Sequence, residues 1–547
     1  MRVHAIQAPS AALLVLLVLN FVWPRSVLPS LMVTPFLMGA GTLALSGLAF
    51  RPVLSRATGA WLAMSLLAIG LSQQPEPLAL IALAAAAIGA WIAIALGQEF
   101  DARRDLLTGV MWALVAGMVI NTLVAGLQYV DVERALYPWV SQNASGRPYG
   151  NLRQANHLAT FSTIGLLAVW WLYREARLSV RMVCTLALLA ILGVAFSASR
   201  TGLLELVVLS GFMLLWRKSA RPLELAVFVL APVWMMLLVE CLQFGAVLLG
   251  HELEGIRGRD SASTRLVYWQ EAWSLALQHP INGVGWGNLA FARVSELPFN
   301  ARVESTANAH NLVMHLLAET GFAITFFVLA PVAWALWRRP PWRLSGSNAR
   351  WAWMVIAVVG AHSLLEYPLW YMNFLIPTAF AFGLLLSFEP TPTPSVRGLP
   401  KALTVFASCL LLVGAALALY DYLRVASAFD EDNRASADLA KVASIQSTFF
   451  YRHYADRALL ERVPLTDANA AEMLKVTTRL LNEGPNPLVF WVRVGALCRL
   501  GETLQAREVA ALYGKAFPKS HAEFMQVNGQ AVLTACGLLP NPGAIVP

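Results

Sequence analysis

The stretch "PLALIALAAAAIGAWIAIALG", residues 77 to 97, carries no charge over a length that matches a bilayer. A spanning helix needs roughly 20 mostly apolar residues, because every backbone N–H and C=O must be satisfied internally where water is absent. Blocks of this kind recur near 10–23, 30–49, 58–72, 107–129, 157–173, 182–197, 202–216, 223–249, 310–336, 351–366, 369–387 and 402–420. With 77–97 they make about thirteen. Across the chain 58% of residues are apolar and 13% charged, far from the soluble average. The expected fold is all-α, a polytopic membrane helix bundle. The stretch 351–387 also reads as one element kinked at Pro368. The first block follows Arg2 and His4 and reads as a retained first helix, since no convincing small-residue cleavage site comes before the next span.

Orientation follows from the lysines and arginines of the short loops, which stay on the cytoplasmic side. Arg51 and Arg56, Arg103 and Arg104, Arg174, Arg177 and Arg181, Arg217, Lys218 and Arg221, then Arg338, Arg339, Arg343 and Arg350 all fall on one side. The alternate short loops carry little beyond Arg25 and Arg200. The N-terminus is therefore expected inside and, with an odd number of spans, the C-terminal region outside. These loops account for most of the formal charge of +8, so no nucleic-acid partner is called for. Cys184, Cys241 and Cys409 lie within spans and read as small core residues. Cys498 and Cys536 lie in the outer tail, where an oxidising compartment permits a disulfide; sequence alone leaves their pairing open.

The polar mass gathers on the outer side. The expected division is a membrane domain over 1–420, with outer loops at 130–156 and 250–309, and an outer helical domain over 421–547. In the tail, "LVFWVRVGALCRLGETLQAREVAALYGKAFP" (488–518) has helical apolar spacing on both sides of Leu500-Gly501 and closes at Pro518. That pattern fits one tetratricopeptide-type hairpin or a small helical bundle. Either offers a surface that binds protein or braces the membrane domain.

Charges in or beside apolar spans are costly, so each is a functional candidate. Arg200, in "AFSASRTGLLEL" (195–206), occupies a very short outer turn. A snorkelling side chain is one reading. An anionic ligand is the other, and it explains an arginine on the side such residues avoid. The second outer region adds Arg257, Arg259, Arg265, Arg293 and Arg302. Arg265 lies in "DSASTRLVYWQEAWSLALQHP" (260–280), where capping residues precede an amphipathic helical period that ends at Pro280. "NGVGWGN" (282–288) reads as a tight turn before it reads as a ligand cradle.

Guanidinium stays charged and grips phosphate oxygens bidentately, so two arginines from different elements suffice to hold a diphosphate. His310, at the head of "HNLVMHLLAETGF" (310–322), is able to take a proton from a hydroxyl group, or simply to cap a helix. His157 and His315 are the alternative bases. In "GRPYGNLRQANHLAT" (146–160), Arg147, Tyr149, Asn151, Gln154, Asn156 and His157 offer hydrogen bonds and a stacking face to a glycan or acceptor; the plainer reading is a capped loop entering a helix. Glu366 pairs with an arginine or assists the acceptor. The outer face shows no Asp-x-Asp pair and no tight carboxylate cluster of the kind that magnesium prefers.

These stretches carry a resemblance. His310-Asn311, followed after nine residues by Gly321, resembles the signature of the bacterial O-antigen ligase and O-oligosaccharyltransferase superfamily. "GRPYGNLRQANHLAT" resembles the short motif of its PglL-type, pilin-glycosylating members. "SASRTG" (197–202), "STRLVYWQEAW" (263–273) and "HSLLEYPLWYMNFLIP" (362–377) match further motifs in the same order, over about residues 140 to 380. The resemblance implies a GT-C-type membrane glycosyltransferase of the Gram-negative inner membrane. It would move a preassembled glycan from undecaprenyl diphosphate to Ser or Thr of a periplasmic protein such as pilin. Arg200 and Arg265 would engage the diphosphate, and His310, with Asn311 beside it, the acceptor hydroxyl, with neither a metal nor another cofactor. A ligase acting on lipid A-core and a glycan polymerase are the alternatives within the superfamily. A flippase or transporter would need charged residues at mid-membrane in several spans, whereas the polar chemistry here gathers at one rim.

Overall fold

The computed structural model describes residues 8–23, 29, 30, 32–143, 146–251, 253, 261–297, 306–388, 399–429, 439–526 and 536. Each expected apolar block is a helix. The first nine are α1 (Ala8–Val22), α2 (Val33–Phe50), α3 (Arg56–Gly70), α4 (Pro77–Phe100), α5 (Arg104–Tyr129), α6 (Ala155–Arg174), α7 (Val180–Phe196), α8 (Arg200–Leu215) and α9 (Pro222–Leu248). Two less apolar helices follow, α10 (Ser261–Gln278) and α11 (Leu289–Glu296), then α12 (Leu312–Arg338), α13 (Ser347–Ser363), α14 (Met372–Ser387) and α15 (Lys401–Ala426). The tail holds α16 (Leu439–Ser444), α17 (Arg452–Arg462), α18 (Ala470–Glu483), α19 (Pro487–Arg499), α20 (Thr503–Ala516) and α21 (Pro518–Phe524). Among the described residues six helices, α2, α4, α5, α9, α12 and α15, are long and apolar enough to cross a membrane. The stretch 351–387 is two helices, not one kinked element: a short turn over Pro368–Trp370 separates α13 from α14.

The chain forms two compact units. The first comprises 1–66, 83–260 and 327–416. Its axis is α6, buried from His157 to Leu172 and packed by α5, α7, α8 and α13. A helix apolar on every side has to be enclosed in this way. Small residues let neighbouring backbones meet, as membrane packing requires. At the α4–α14 crossing a Cβ on Gly97 would fall 2.2 Å from Phe380 O, and one on Gly383 would fall 2.1 Å from Ile94 O.

The second unit comprises 67–82, 261–326 and 417–547. Its tail helices close around Met473, Val476, Phe490 and Tyr513, with the Phe490 and Tyr513 rings stacked 5.7 Å apart. Helix α11 packs against α18 and α20, placing Phe291 and Val294 on that core. The segment near 290 is thus part of the same body as the tail.

Cys498 and Cys536 form a disulfide, the pairing that sequence left open. Cys184, Cys241 and Cys409 are exposed, contrary to the expectation of core positions. In a bilayer the outward face of a helix is as apolar as the inward one, so hydropathy does not separate them.

Candidate functional site

The sequence-derived residues fall into two polar sets, one in each unit. In the first unit the loop before α6 is fastened from below by α5. Asn121 Oδ1 accepts from Asn151 N at 2.9 Å, and Gln128 Oε1 accepts from the backbone of Tyr149 and Gly150 at 2.9 Å each. The Asn151 side chain is itself spent on backbone: Oδ1 accepts from Ser141 N at 3.0 Å, and Nδ2 donates to Val22 O at 2.9 Å and Trp139 O at 3.1 Å. Tyr149 donates to Gln142 O. Burial pushes its hydroxyl above the ordinary value, Glu133 adding to this and Arg153 opposing it. Gln154 is the N-cap of α6 without a side-chain cap bond.

Around this loop the heads of α6 and α8 meet the end of α13. Asn156 accepts from Ser199 Oγ at 2.8 Å and donates to Glu366 Oε1 at 3.3 Å. Arg147 donates through Nε and Nη2 to Ser197 O at 2.8 and 2.6 Å, tying the loop to the α7–α8 turn. Arg200 is the first residue of α8, capped by Ser199, which accepts from Gly202 N, and it is exposed. A cation there sits badly with the helix dipole. His157 is enclosed by Tyr371 and Phe374, with ring centres 4.3 and 4.9 Å away.

The second set lies in the second unit. His310 has φ 51°, a left-handed backbone that costs an L-residue about 1–2 kcal/mol. Its N–H donates to Asn308 Oδ1 at 2.9 Å. Its ring stacks on Tyr268 of α10, with centroids 5.4 Å apart and planes at 17°. Tyr268 is one turn beyond Arg265 on the same helix, on neighbouring surface positions. The Arg293 guanidinium stands 4.9 Å from the Tyr268 ring centre. It donates twice to Glu271 Oε2, at 2.8 and 2.5 Å, and once to Thr306 O at 2.9 Å. One arginine of α11 thereby ties α10 to the loop that carries His310.

Asn311 is a cap: its Oδ1 accepts from Val313 N at 3.0 Å and Met314 N at 3.1 Å, the usual office of asparagine at a helix start. His315 is buried, with Nε2 3.3 Å from Glu319 Oε2. That carboxylate also accepts from Gly287 N at 2.9 Å and Leu289 N at 3.2 Å, so the pair anchors "NGVGWGN" to α12. The turn docks on protein: Gly285 N donates to Glu319 O at 3.0 Å, and Trp286 O accepts from Glu76 N at 2.8 Å. Arg257, Arg259 and Arg302 lie outside the described residues.

Sequence reasoning passed over Tyr268, Glu271, Thr160, Glu205 and His362. The signals were present. Tyr268 follows Arg265 at helical spacing, and Glu205 is the one acid in the α8 sequence "RTGLLELVVLSGFMLL".

The fold and its polar sets define a membrane helix bundle whose buried helices carry ionisable side chains, with arginines at the head of α8 and on α10. Three family models match segments of it in series. The model described as protein glycosylation ligase covers residues 148–173, that of O-antigen ligase 185–329, and that of virulence factor membrane-bound polymerase, C-terminal, 350–531. Over these segments the chain is similar to the O-antigen ligase and O-oligosaccharyltransferase superfamily. It is 28% identical over 334 residues to the general O-oligosaccharyltransferase of Acinetobacter baylyi, covering 57% of each chain. It is 24% identical over 306 residues to the ComP-specific O-oligosaccharyltransferase of the same organism, covering 55% of this chain and 56% of that one. The chain thus spans little more than half the length of the curated relatives it matches. No solved structure matches it.

Proposed function

We propose that this protein transfers a preassembled glycan from undecaprenyl diphosphate to Ser or Thr hydroxyls of a periplasmic protein such as pilin, at the periplasmic face of the inner membrane. The observation that carries this reading is His310 stacked on Tyr268, one helical turn from Arg265. A base is thereby packed against the helix that carries a phosphate-gripping cation.

In this reading Arg200 and Arg265 neutralise the diphosphate and His310 takes the proton of the acceptor hydroxyl. The acceptor oxygen bonds to the anomeric carbon as the bond from that carbon to the phosphate oxygen breaks, with inversion. The diphosphate leaves with the electron pair. Positioned cations supply the electrostatic stabilisation where negative charge develops. Asn156, Glu366, Arg147 and Tyr149 border the glycan or acceptor. Residues 1–420 act as the membrane domain and 421–547 as a periplasmic, tetratricopeptide-like helical domain that offers its surface to the acceptor protein. The names of the two relatives and the protein glycosylation ligase match over 148–173 support a protein acceptor. The O-antigen ligase match favours lipid A-core as the second reading.

Co-expression with a lipid-linked glycan and a candidate pilin decides between them. A mass shift on Ser or Thr of the pilin is the expected result, and decorated lipid A-core with unmodified protein would reverse it. Arg200→Ala, Arg265→Ala and His310→Ala should each abolish transfer at normal protein levels.

A further inference from the structure

One turn below the Ser199–Asn156–Glu366 set, the same three helices carry a second polar layer. Thr160 of α6, Glu205 of α8 and His362 of α13 are each 0% exposed. Thr160 Oγ1 lies 3.1 Å from Asn156 O and 2.7 Å from His362 Nδ1, and it is hydrogen-bonded to Glu205 Oε1. His362 Nδ1 is 3.9 Å from Glu205 Oε1. Ionisable groups inside a membrane bundle are costly and point to function by default.

The hydrogen bonds restrict the protons. A hydroxyl donates one hydrogen and accepts at two lone pairs. Asn156 O only accepts, so that single hydrogen cannot also serve a carboxylate and a bare imidazole nitrogen. Glu205 or His362 must therefore donate to Thr160. Ionised side chains are costly inside a membrane bundle, and the arrangement that leaves neither side chain charged has Glu205 as the carboxylic acid beside a neutral imidazole.

The layer is built into the rim above it. Thr160 accompanies Asn156 four residues earlier on α6, and His362 accompanies Glu366, whose N–H donates to His362 O at 2.9 Å. Glu205 follows Arg200 within the first turns of α8. The other titratable or charged groups near this end of the packed elements include His157 of α6, its ring 5.9 Å from that of His362, Glu366, Tyr371 and Arg200; Tyr173 and Arg174 lie at the far end of α6 and Arg350 near the start of α13. Glu224 of the neighbouring α9 is 3.3 Å from Arg174.

We propose that Thr160, Glu205 and His362 form a proton-holding layer, Glu205 being kept as the neutral acid, that positions Asn156, Glu366 and the α8 turn bearing Arg200 for glycan transfer. They are positioning residues, and the role rests on the transfer reading above. Ionising Glu205 at high pH would put an acceptor-only group beside Thr160 and loosen the join between α6, α8 and α13.

The test uses the full chain in lipid nanodiscs, with undecaprenyl diphosphate-linked glycan and an acceptor peptide. Infrared absorption should show a protonated-carboxyl band that Glu205→Gln removes, a readout independent of turnover. In transfer assays Glu205→Gln should keep most of the neutral-pH rate and stay flat on the alkaline side, where the wild type declines. Glu205→Ala and Thr160→Val should lose about tenfold or more in kcat with little change in donor KM, as misplacement without lost contact predicts, and Thr160→Ser should recover most of it. A missing band, superimposable pH profiles for wild type and Glu205→Gln, or a Gln variant as inactive as the Ala variant would each overturn the proposal. A wild type that shows the band and transfers nothing would count against the transfer reading alone.

Discussion

The rings of Tyr268 and His310 lie nearly parallel, 5.4 Å apart, joining a buried position on α10 to a residue in left-handed backbone just ahead of α12. The stack fixes the imidazole to the helix that carries Arg265. Aromatic pairs are worth about 0.5–1.5 kcal/mol beyond burial, so Tyr268→Ala should slow transfer by at least about 3–10-fold, and Tyr268→Phe should stay within about twofold. Initial rates normalised to protein level check this. An Ala variant with the wild-type rate would separate the stack from the site.

Two glycines should answer oppositely to alanine. Gly285 has φ 99° and would place a Cβ 1.7 Å from Gln73 O, so Gly285→Ala should destabilise the second unit by more than about 2 kcal/mol. Gly360, helical and exposed on α13, has nothing within 4 Å of its Cβ position. Gly360→Ala should be neutral or stabilising by up to about 1 kcal/mol. Thermal unfolding of the two purified variants compares them directly.

His453, in α17, sets a pH dependence in the tail. Burial lowers its pKa from 6.5 to about 4, against a smaller upward pull from Asp456. The folded tail holds the ring neutral where the unfolded chain would protonate it. The contribution is therefore complete above pH 6.5, declines as pH falls toward about 4 and levels off below, with a full size of about 3 kcal/mol. Hydrogen exchange in α17 and α18 should accelerate over that window in the wild type, and the acceleration should be smaller in His453→Leu. Identical slopes in the two would refute the assignment.

The Cys498–Cys536 bridge closes a loop of sequence separation 38, and its loss should cost the tail about 2–4 kcal/mol. Maleimide labelling of the denatured, unreduced protein should count the three free thiols, Cys184, Cys241 and Cys409. Prior reduction should raise the count to all five cysteines of the chain. Five thiols without reductant would mean that the bridge is absent.

The helices were readable because a bilayer leaves the backbone no alternative: an uncharged run such as 77–97 must satisfy its own hydrogen bonds. Its consequence, α4, agrees to within a few residues. Arg200 stood out through its sign on the outer side, and the loop before α6 through its polar density. The partners of these residues were hidden. Ser199, Asn156 and Glu366 are far apart in the chain and join only because α6, α8 and α13 pack together. Arg293 was one of five candidate arginines of its region until α10 and α11 placed it against Tyr268 and paired it with Glu271. The three intramembrane cysteines were misplaced because lipid and protein interior are equally apolar.

Composition and periodicity by themselves determined that this chain is a membrane helix bundle, roughly where its apolar helices lie, and which stretches resemble a known superfamily, because those properties depend on residues near in sequence and on the solvent around them. Only the tertiary structure decided that 67–82 and 261–326 belong to one body with the tail, that His310 rests on Tyr268, and that Thr160, Glu205 and His362 share one buried hydrogen-bond layer. Each of those depends on which helix faces which. Packing sets that choice through shape and hydrogen-bond satisfaction summed over distant segments, and no local pattern encodes it.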